Sequence, residues 1–215
     1  MRVDPDSRSV QGLTTFLQFV ALNVLYIVAC VPVVTAGAAT AALYEVALRY
    51  ADEERGYLIQ GFLVGLRRNL WRGTAVGLLF GVPIAMLGFA AAFWLALGSA
   101  LGTAVGTITV LFIAYLVAAL LYGLALVARY ADPLGRIVRN ALLLPLGEPL
   151  RTLALLLRPA VTVSLMYVYP PFVVLVATIG FSVGAYVDAF VLHSVFRRRG
   201  GDPTALDPVN PHSGE

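Results

Sequence analysis

Apolar residues run in long blocks along this chain, and polar ones gather at the joints between them. Residues 13–34 form the first block, with Pro32, Thr35 and Gly37 as punctuation at its end. The block is longer than the roughly 7–15 residues of a secretory signal core. Its leading segment also lacks net positive charge, because Asp4 and Asp6 cancel Arg2 and Arg8. A cleavage site at residues 36–38 is therefore rejected. Residues 35–50 read as a helix that Thr35 can cap and that its alanines favour. Glu45, Arg49 and Asp52 share one face of it, with Leu43, Val46 and Tyr50 opposite. At 1.5 Å per residue this helix is about 24 Å long, short for a hydrocarbon core of ~30 Å. Crossing, re-entry and an interfacial position all stay open for it.

Residues 73–97 and 103–128 are full-length spans joined by the uncharged turn 98–102, and residues 150–169 and 172–196 form a second hairpin around Pro170-Pro171. Trp71 and Trp94 lie roughly 35 Å apart along a helix, a spacing that suits indole anchors at two interfaces. Residues 57–72 are amphipathic, with Leu58, Phe62, Leu66 and Leu70 on one face and Arg67, Arg68 and Arg72 crowding the C-terminal end. Those arginines suit the helix dipole and anionic headgroups. The segment reads either as an interfacial helix linking two spans or as a docking surface. Residues 200–215 hold little that could be buried and are expected to be disordered. The pattern predicts an all-α, polytopic transmembrane helix bundle of five or six membrane segments with cytoplasmic amphipathic helices. It forms one domain, residues 13–199, between a polar tail (1–12) and the disordered tail (200–215).

Composition makes lipid the solvent. Hydrophobic residues are 60% of the chain and charged ones 13%, against about 25% charged in soluble domains. All fifteen basic residues are arginine, so the lysine of a Walker-type phosphate loop or of a Schiff-base enzyme is missing. Five arginines fall in residues 49–72, five in 129–158 and three in 197–199. An even number of spans separates these regions, so all three share one side, which the positive-inside rule makes the cytoplasm. The C-terminus is then cytoplasmic. The N-terminus is outside if residues 13–50 cross once, and inside if they cross twice. The net charge of +3 reads as orientation in the bilayer and not as nucleic-acid binding. Arg49-Tyr50-Ala51-Asp52 recurs as Arg129-Tyr130-Ala131-Asp132, and an Arg-Asn pair comes after each, Arg68-Asn69 and Arg139-Asn140. A duplication would make residues 35–50 a true span and six the number of crossings.

Candidate chemistry is sparse. Cys30 is the sole cysteine, and His193 and His212 are far apart in character. No metal-ligand spacing, Gly-x-Ser-x-Gly elbow or HExxH occurs, so no catalytic site, metal or cofactor is expected. Glycines recur every fourth residue at 73, 77 and 81, at 98, 102 and 106, and at 180 and 184. Such stripes let helices approach closely, within the bundle or between copies. Charges in lipid need partners. Asp188 lies seventeen residues past Pro171, and Arg158 twelve before Pro170. Folding the hairpin puts Asp188 roughly 7 Å nearer the cytoplasm than the Arg158 backbone, within reach of a snorkelling guanidinium. The expectation is a structural Arg158–Asp188 pair; the alternative is a proton or cation path through Asp188, Glu45 and Asn23. Glu45 reads more simply as the i,i+4 partner of Arg49.

Several segments, in their order, resemble the YesL-like family of bacterial membrane proteins. Asn23 is the first, then the Pro32, Thr35, Gly37, Ala38, Ala41, Leu43 and Tyr44 block. Glu53 or Glu54 before Gly56-Tyr57 come next, with Phe62 and Asn69. Arg129-Tyr130, Asn140-Ala141, residues 149–153 and Gly180-Phe181-Ser182 complete the series. The block from Pro32 to Tyr44 is the most specific. Lysines usual in the family are arginine here or missing. Members are often encoded beside carbohydrate uptake transporters of the ATP-binding-cassette type and glycan-degrading enzymes. The resemblance therefore implies a bacterial cytoplasmic-membrane protein that serves as an accessory of carbohydrate uptake, with transporter subunits as partners. The Glu-Ala-Ala coupling loop of a permease is missing. Arg67, Arg68, Arg72, Arg136 and Arg139 are the candidate docking residues of such an accessory, and Pro32, Thr35, Gly37, Tyr44 and Asn69 the structural motif. The second hypothesis is a small secondary carrier, working as a homo-oligomer, with Asn23, Glu45 and Asp188 along its path.

Overall fold

The apolar blocks fold as helices, as backbone in lipid must, because hydrocarbon offers no partner for an unpaired N–H or C=O. A computed structural model describes residues 8–52 and 58–199, and the side chains of 14–52 and 58–196. The tail expected at 200–215, residues 1–7, and Glu53, Glu54, Gly56 and Tyr57 lie outside the described residues. Helix α1 is Arg8–Cys30 and α2 is Ala36–Ala51, joined through a 3-10 turn at Val33–Thr35. Next come α3, Leu58–Ala96, α4, Ala100–Arg129, α5, Leu134–Gly147, and α6, Pro149–Val168. A single turn, α7, at Phe172–Leu175 passes through a π-helical turn, Val176–Gly180, into α8, Phe181–Arg199. Among the described residues there is no strand.

Four helical stretches are long and apolar enough to cross a membrane: Leu58–Ala96, Ala100–Arg129, Pro149–Val168 and Phe172–Phe196. The apolar part of α1, Thr14–Cys30, is shorter. Three features differ from those read in the sequence. Helix α1 already begins at Arg8, inside the segment expected to be a polar tail. The amphipathic segment from Leu58 and the span after it, to Ala96, are one unbroken helix of 39 residues, since Arg72-Gly73 offers no chain break strong enough to stop helical propagation. Its buried line is Leu58, Phe62, Gly65, Asn69, Gly73, Val76 and Phe80, a three-four spacing; Leu70 faces outward at 46% exposure.

The third difference concerns α2. Residues 37–39 and 41–48 are all buried, so most of the helix is enclosed by the bundle and only its C-terminal end, at Arg49 and Asp52, presents exposed polar residues. Small side chains make this burial feasible: Gly37, Ala38, Ala39, Ala41 and Ala42 let neighbouring backbones close in. The tightest crossing is with α3. A Cβ built on Gly73 would lie 2.6 Å from Ala38 Cα, and one on Gly37 would lie 2.9 Å from Gly77 Cα. Thr35 precedes α2 but does not cap it. Its Oγ1 donates instead to the carbonyls of Ala29, at 2.7 Å, and Pro32, at 2.8 Å. The hydroxyl is thus spent on fastening the end of α1, and the 3-10 turn closes through backbone bonds.

Helices α3 and α4 form a long antiparallel hairpin. Gly98 has φ +62° in the turn, and Ser99 caps α4 by accepting from the Gly102 amide at 3.0 Å. Gly102 and Gly106 press against Trp94 and Leu95 of α3. The glycine stripes therefore serve packing within the bundle at residues 73, 77, 102 and 106. Gly81 meets nothing within 4 Å. Helix α5 lies against the second half of α4, tied by Tyr115 donating to the Leu142 carbonyl at 2.7 Å.

Candidate functional site

Polar groups inside the bundle fall into separate clusters, each closed by its own partners. The first joins α2, α6 and α8. Arg158 donates to Asp188 through Nε to Oδ1 at 2.7 Å and Nη2 to Oδ2 at 2.6 Å, a bidentate fork. Tyr44 Oη donates to Oδ2 at 3.1 Å. Asp188 is 1% exposed. Gly184 lies one turn before Asp188, and the Arg158 Nη1 occupies the place its Cβ would take. The guanidinium is thus seated flat on α8 because residue 184 has no side chain.

The second cluster belongs to Glu45. Its carboxylate takes Arg49 at 2.8 Å and Arg68 at 2.5 Å on Oε1, and Asn69 Nδ2 at 2.9 Å on Oε2. Gly65 leaves it room: a Cβ there would come within 3.1 Å of Oε2. A carboxylate that is 4% exposed is tolerable because two cations and an amide compensate it.

Asn23 serves the backbone. Its Nδ2 donates to the carbonyls of Val176, at 3.2 Å, and Ala177, at 2.6 Å, while Oδ1 accepts from the amides of Phe181, at 2.9 Å, and Ser182, at 3.0 Å. These four bonds stitch α1 to the π-helical turn, where the ordinary helical ladder is interrupted. Ser182 adds a bond from Oγ to the Phe19 carbonyl at 3.0 Å. Asn23→Ala is expected to destabilise this junction by about 1–3 kcal/mol, the usual penalty of stranding buried polar groups. Hydrogen exchange at Phe181 and Ser182 should accelerate roughly ten- to hundredfold, with Met86 and its neighbours in α3 unchanged as the internal reference.

At one end of the bundle the two Arg-Tyr-Ala-Asp repeats meet. Arg129 approaches Asp52 at 3.6 Å and lies over the Phe196 ring, 5.8 Å from its centroid. His193 Nε2 is 2.8 Å from Asp52 Oδ1, in an orientation that does not make a hydrogen bond. Arg72 donates to the carbonyls of Tyr130, at 2.8 Å, and Asp132, at 2.6 Å, closing the C-terminus of α4. Arg136 binds Asp132 Oδ1 at 2.6 Å. Arg67 and Arg139 are exposed and make no ion pair among the described residues. Beside this end a cavity of about 310 Å³ is lined by Leu126, Tyr130, Asp132, Asn140, Leu143, Leu144 and Phe196. Asn23, Glu45 and Asp188 are not among its walls. No group of three or more His, Cys, Asp or Glu among the described residues is placed to hold a metal ion.

The comparisons with known proteins bear on the first of these helices. Residues 19–91 match the family model described as "Protein of unknown function, DUF624". Neither the curated proteins nor the solved structures give a match. The DUF624 stretch contains α2 and most of α1 and α3, hence Asn23, the Pro32 to Tyr44 block, Glu45 and Asn69. Arg158 and Asp188 lie beyond it. Within the DUF624 stretch the Glu45–Asn69 bond and the Gly37–Gly73 crossing account for two motif residues, Asn69 and Gly37, as fold determinants; Tyr44 is the one that reaches out, to Asp188.

The structure brings Arg158 to Asp188 and Arg49 to Glu45, the two pairs read from the sequence. It does not bring Asn23, Glu45 and Asp188 together, since each bonds to a different set of atoms. Two contacts were missed. Tyr44 as a donor to Asp188 carries no local signal, being 144 positions away. The Asp52, Arg129 and His193 meeting was hinted at only by the repeat, which places equivalent residues at equivalent helix ends.

Proposed function

We propose that this chain is a non-catalytic, multi-spanning membrane protein that acts as an accessory or regulatory partner of a transport system, docking through arginines at its cytoplasmic end. The observation that carries the reading is the closure of the intramembrane polar groups upon one another. Asp188, Glu45 and Asn23 each have their bonding capacity taken by fixed neighbours, and a conducting path needs groups that release and rebind. Arg67 and Arg139, by contrast, are exposed. The resemblance to YesL-like proteins makes carbohydrate uptake of the ATP-binding-cassette type the proposed system, by association with neighbouring genes and not by mechanism.

On this reading the chain sits in the bacterial cytoplasmic membrane with its C-terminus inside. Helices α1 and α2 supply the fifth and sixth segments, and the end where Asp52, Arg129 and His193 meet faces the cytoplasm. Flux assays in proteoliposomes test it: the protein should move neither protons nor labelled sugars above the level of empty vesicles. Sustained flux that Asp188→Asn abolishes without loss of folding would replace the accessory by a carrier.

A further inference from the structure

Arg68 stands on an outward face of α3 and yet holds a carboxylate inside the bundle. Val64, four residues before it, and Trp71, three residues after it, lie on the same helix face and are exposed. The indole marks the edge of the hydrocarbon. Arg68 is about 4.5 Å from it along the axis, at 1.5 Å per residue, on the side away from the uncharged run 73–96. That is the depth of the headgroups, which add about 5–7 Å to each side of the hydrocarbon core. Phosphate is the anion that a bilayer presents there.

Arg49 reaches the same place from α2. Its Nη2 lies 2.8 Å from Glu45 Oε1, and the Arg68 Nη2 lies 2.5 Å from the same oxygen. The two nitrogens are thus at most about 5.3 Å apart, the two distances laid end to end. Asn69 takes the other carboxylate oxygen. Glu45 brings one charge against two, so the pair of guanidiniums stays cationic. Both arginine side chains are half-exposed, while Glu45 is buried beneath them. Each guanidinium has five N–H donors in a planar fork, and the donors that Glu45 does not use are left for an anion outside, at a separation that one phosphate can bridge.

We propose that Arg49 and Arg68 clasp a single phosphate group, supplied by the headgroup of an anionic phospholipid. Glu45 positions the clasp: it draws two like charges together and holds them at the spacing that lets one phosphate accept from both. A cationic pair also disfavours a headgroup that carries its own ammonium, so phosphatidylglycerol is preferred to phosphatidylcholine.

Native mass spectrometry of the full chain in detergent tests this, with phosphatidylglycerol, phosphatidylcholine and inorganic phosphate as the probes. The expected result is one phosphatidylglycerol retained in preference to phosphatidylcholine. Arg49→Gln or Arg68→Gln should weaken its binding about tenfold or more, the worth of one charge-assisted hydrogen bond. Each single variant leaves Glu45 one arginine and Asn69, and melting in lipid-free detergent checks that folding is kept. Arg68→Lys keeps Glu45 paired but loses the planar fork; it is read in place of a glutamine variant that melts early, and it too should bind less. Arg67→Gln removes the same charge from the neighbouring surface and should bind as the wild type does. Equal retention or equal loss across these variants, or no preference for phosphatidylglycerol, overturns the clasp. Inorganic phosphate that displaces the lipid at equal concentration overturns the lipid as its source. Glu53 and Glu54 follow Arg49 closely in the chain, so Glu53→Gln with Glu54→Gln completes the set. Binding should be unchanged in that variant; lipid bound there and not by the wild type would mean that these carboxylates already hold the arginines, and the clasp would fall.

Discussion

Replacing Asp188 by alanine is expected to cost the folded protein about 3–5 kcal/mol, the usual penalty when one member of a buried ion pair is removed. The carboxylate receives both donors of the Arg158 fork and the Tyr44 hydroxyl. Its loss strands a guanidinium in the span and a phenol inside the bundle. Thermal unfolding of the detergent-solubilised protein should show a much lower midpoint, and yield from membranes should fall with it. Asp188→Asn keeps the shape and an acceptor for Tyr44, so it should lie between wild type and alanine. Arg158→Asp combined with Asp188→Arg should recover part of the loss. If Asp188→Ala melts at the wild-type temperature, the pair holds nothing together.

The second large effect is expected at the crossing of α2 and α3. At Gly73 an added methyl meets Ala38 Cα at 2.6 Å, which is backbone and cannot rotate aside. Gly73→Ala must therefore push two helices apart at the most buried part of the bundle, at a cost of about 1–3 kcal/mol, the range for overpacked cores. A larger residue such as leucine should prevent assembly. Gly81→Ala is the control, since nothing lies within 4 Å of its added carbon. Melting curves of the two alanine variants check this directly: equal stability would mean the close approach is absent in solution.

Much of this architecture was legible in the sequence because lipid imposes a simple rule: apolar blocks become helices and charges mark their ends. The Arg158–Asp188 contact could be anticipated from a proline turn and a count of residues on either side of it. Other features depend on packing that no local pattern encodes. Thr35 has the composition of a helix cap, yet the Ala29 and Pro32 carbonyls compete for its hydroxyl and win. Residues 57–72 resemble a separate helix because they are charged and residues 73–97 are not, but charge does not break a backbone. The amphipathic face was misassigned at Leu70 for a related reason: in a membrane protein the outside is also apolar, so hydrophobicity alone does not distinguish a buried leucine from a lipid-facing one. Asn23 has the character of a pathway residue, whereas the π-helical turn it satisfies, 153 residues further on, leaves no clear mark on its own surroundings.

The most direct test of the accessory reading is mild detergent extraction from native membranes at natural expression, with quantitative mass spectrometry of the proteins that accompany the chain, for wild type and for Arg67→Glu with Arg139→Glu. The account predicts stoichiometric recovery of transport-system subunits with the wild type and their loss with the double variant. Recovery of this chain alone, as a uniform homo-oligomer in both samples, would contradict it.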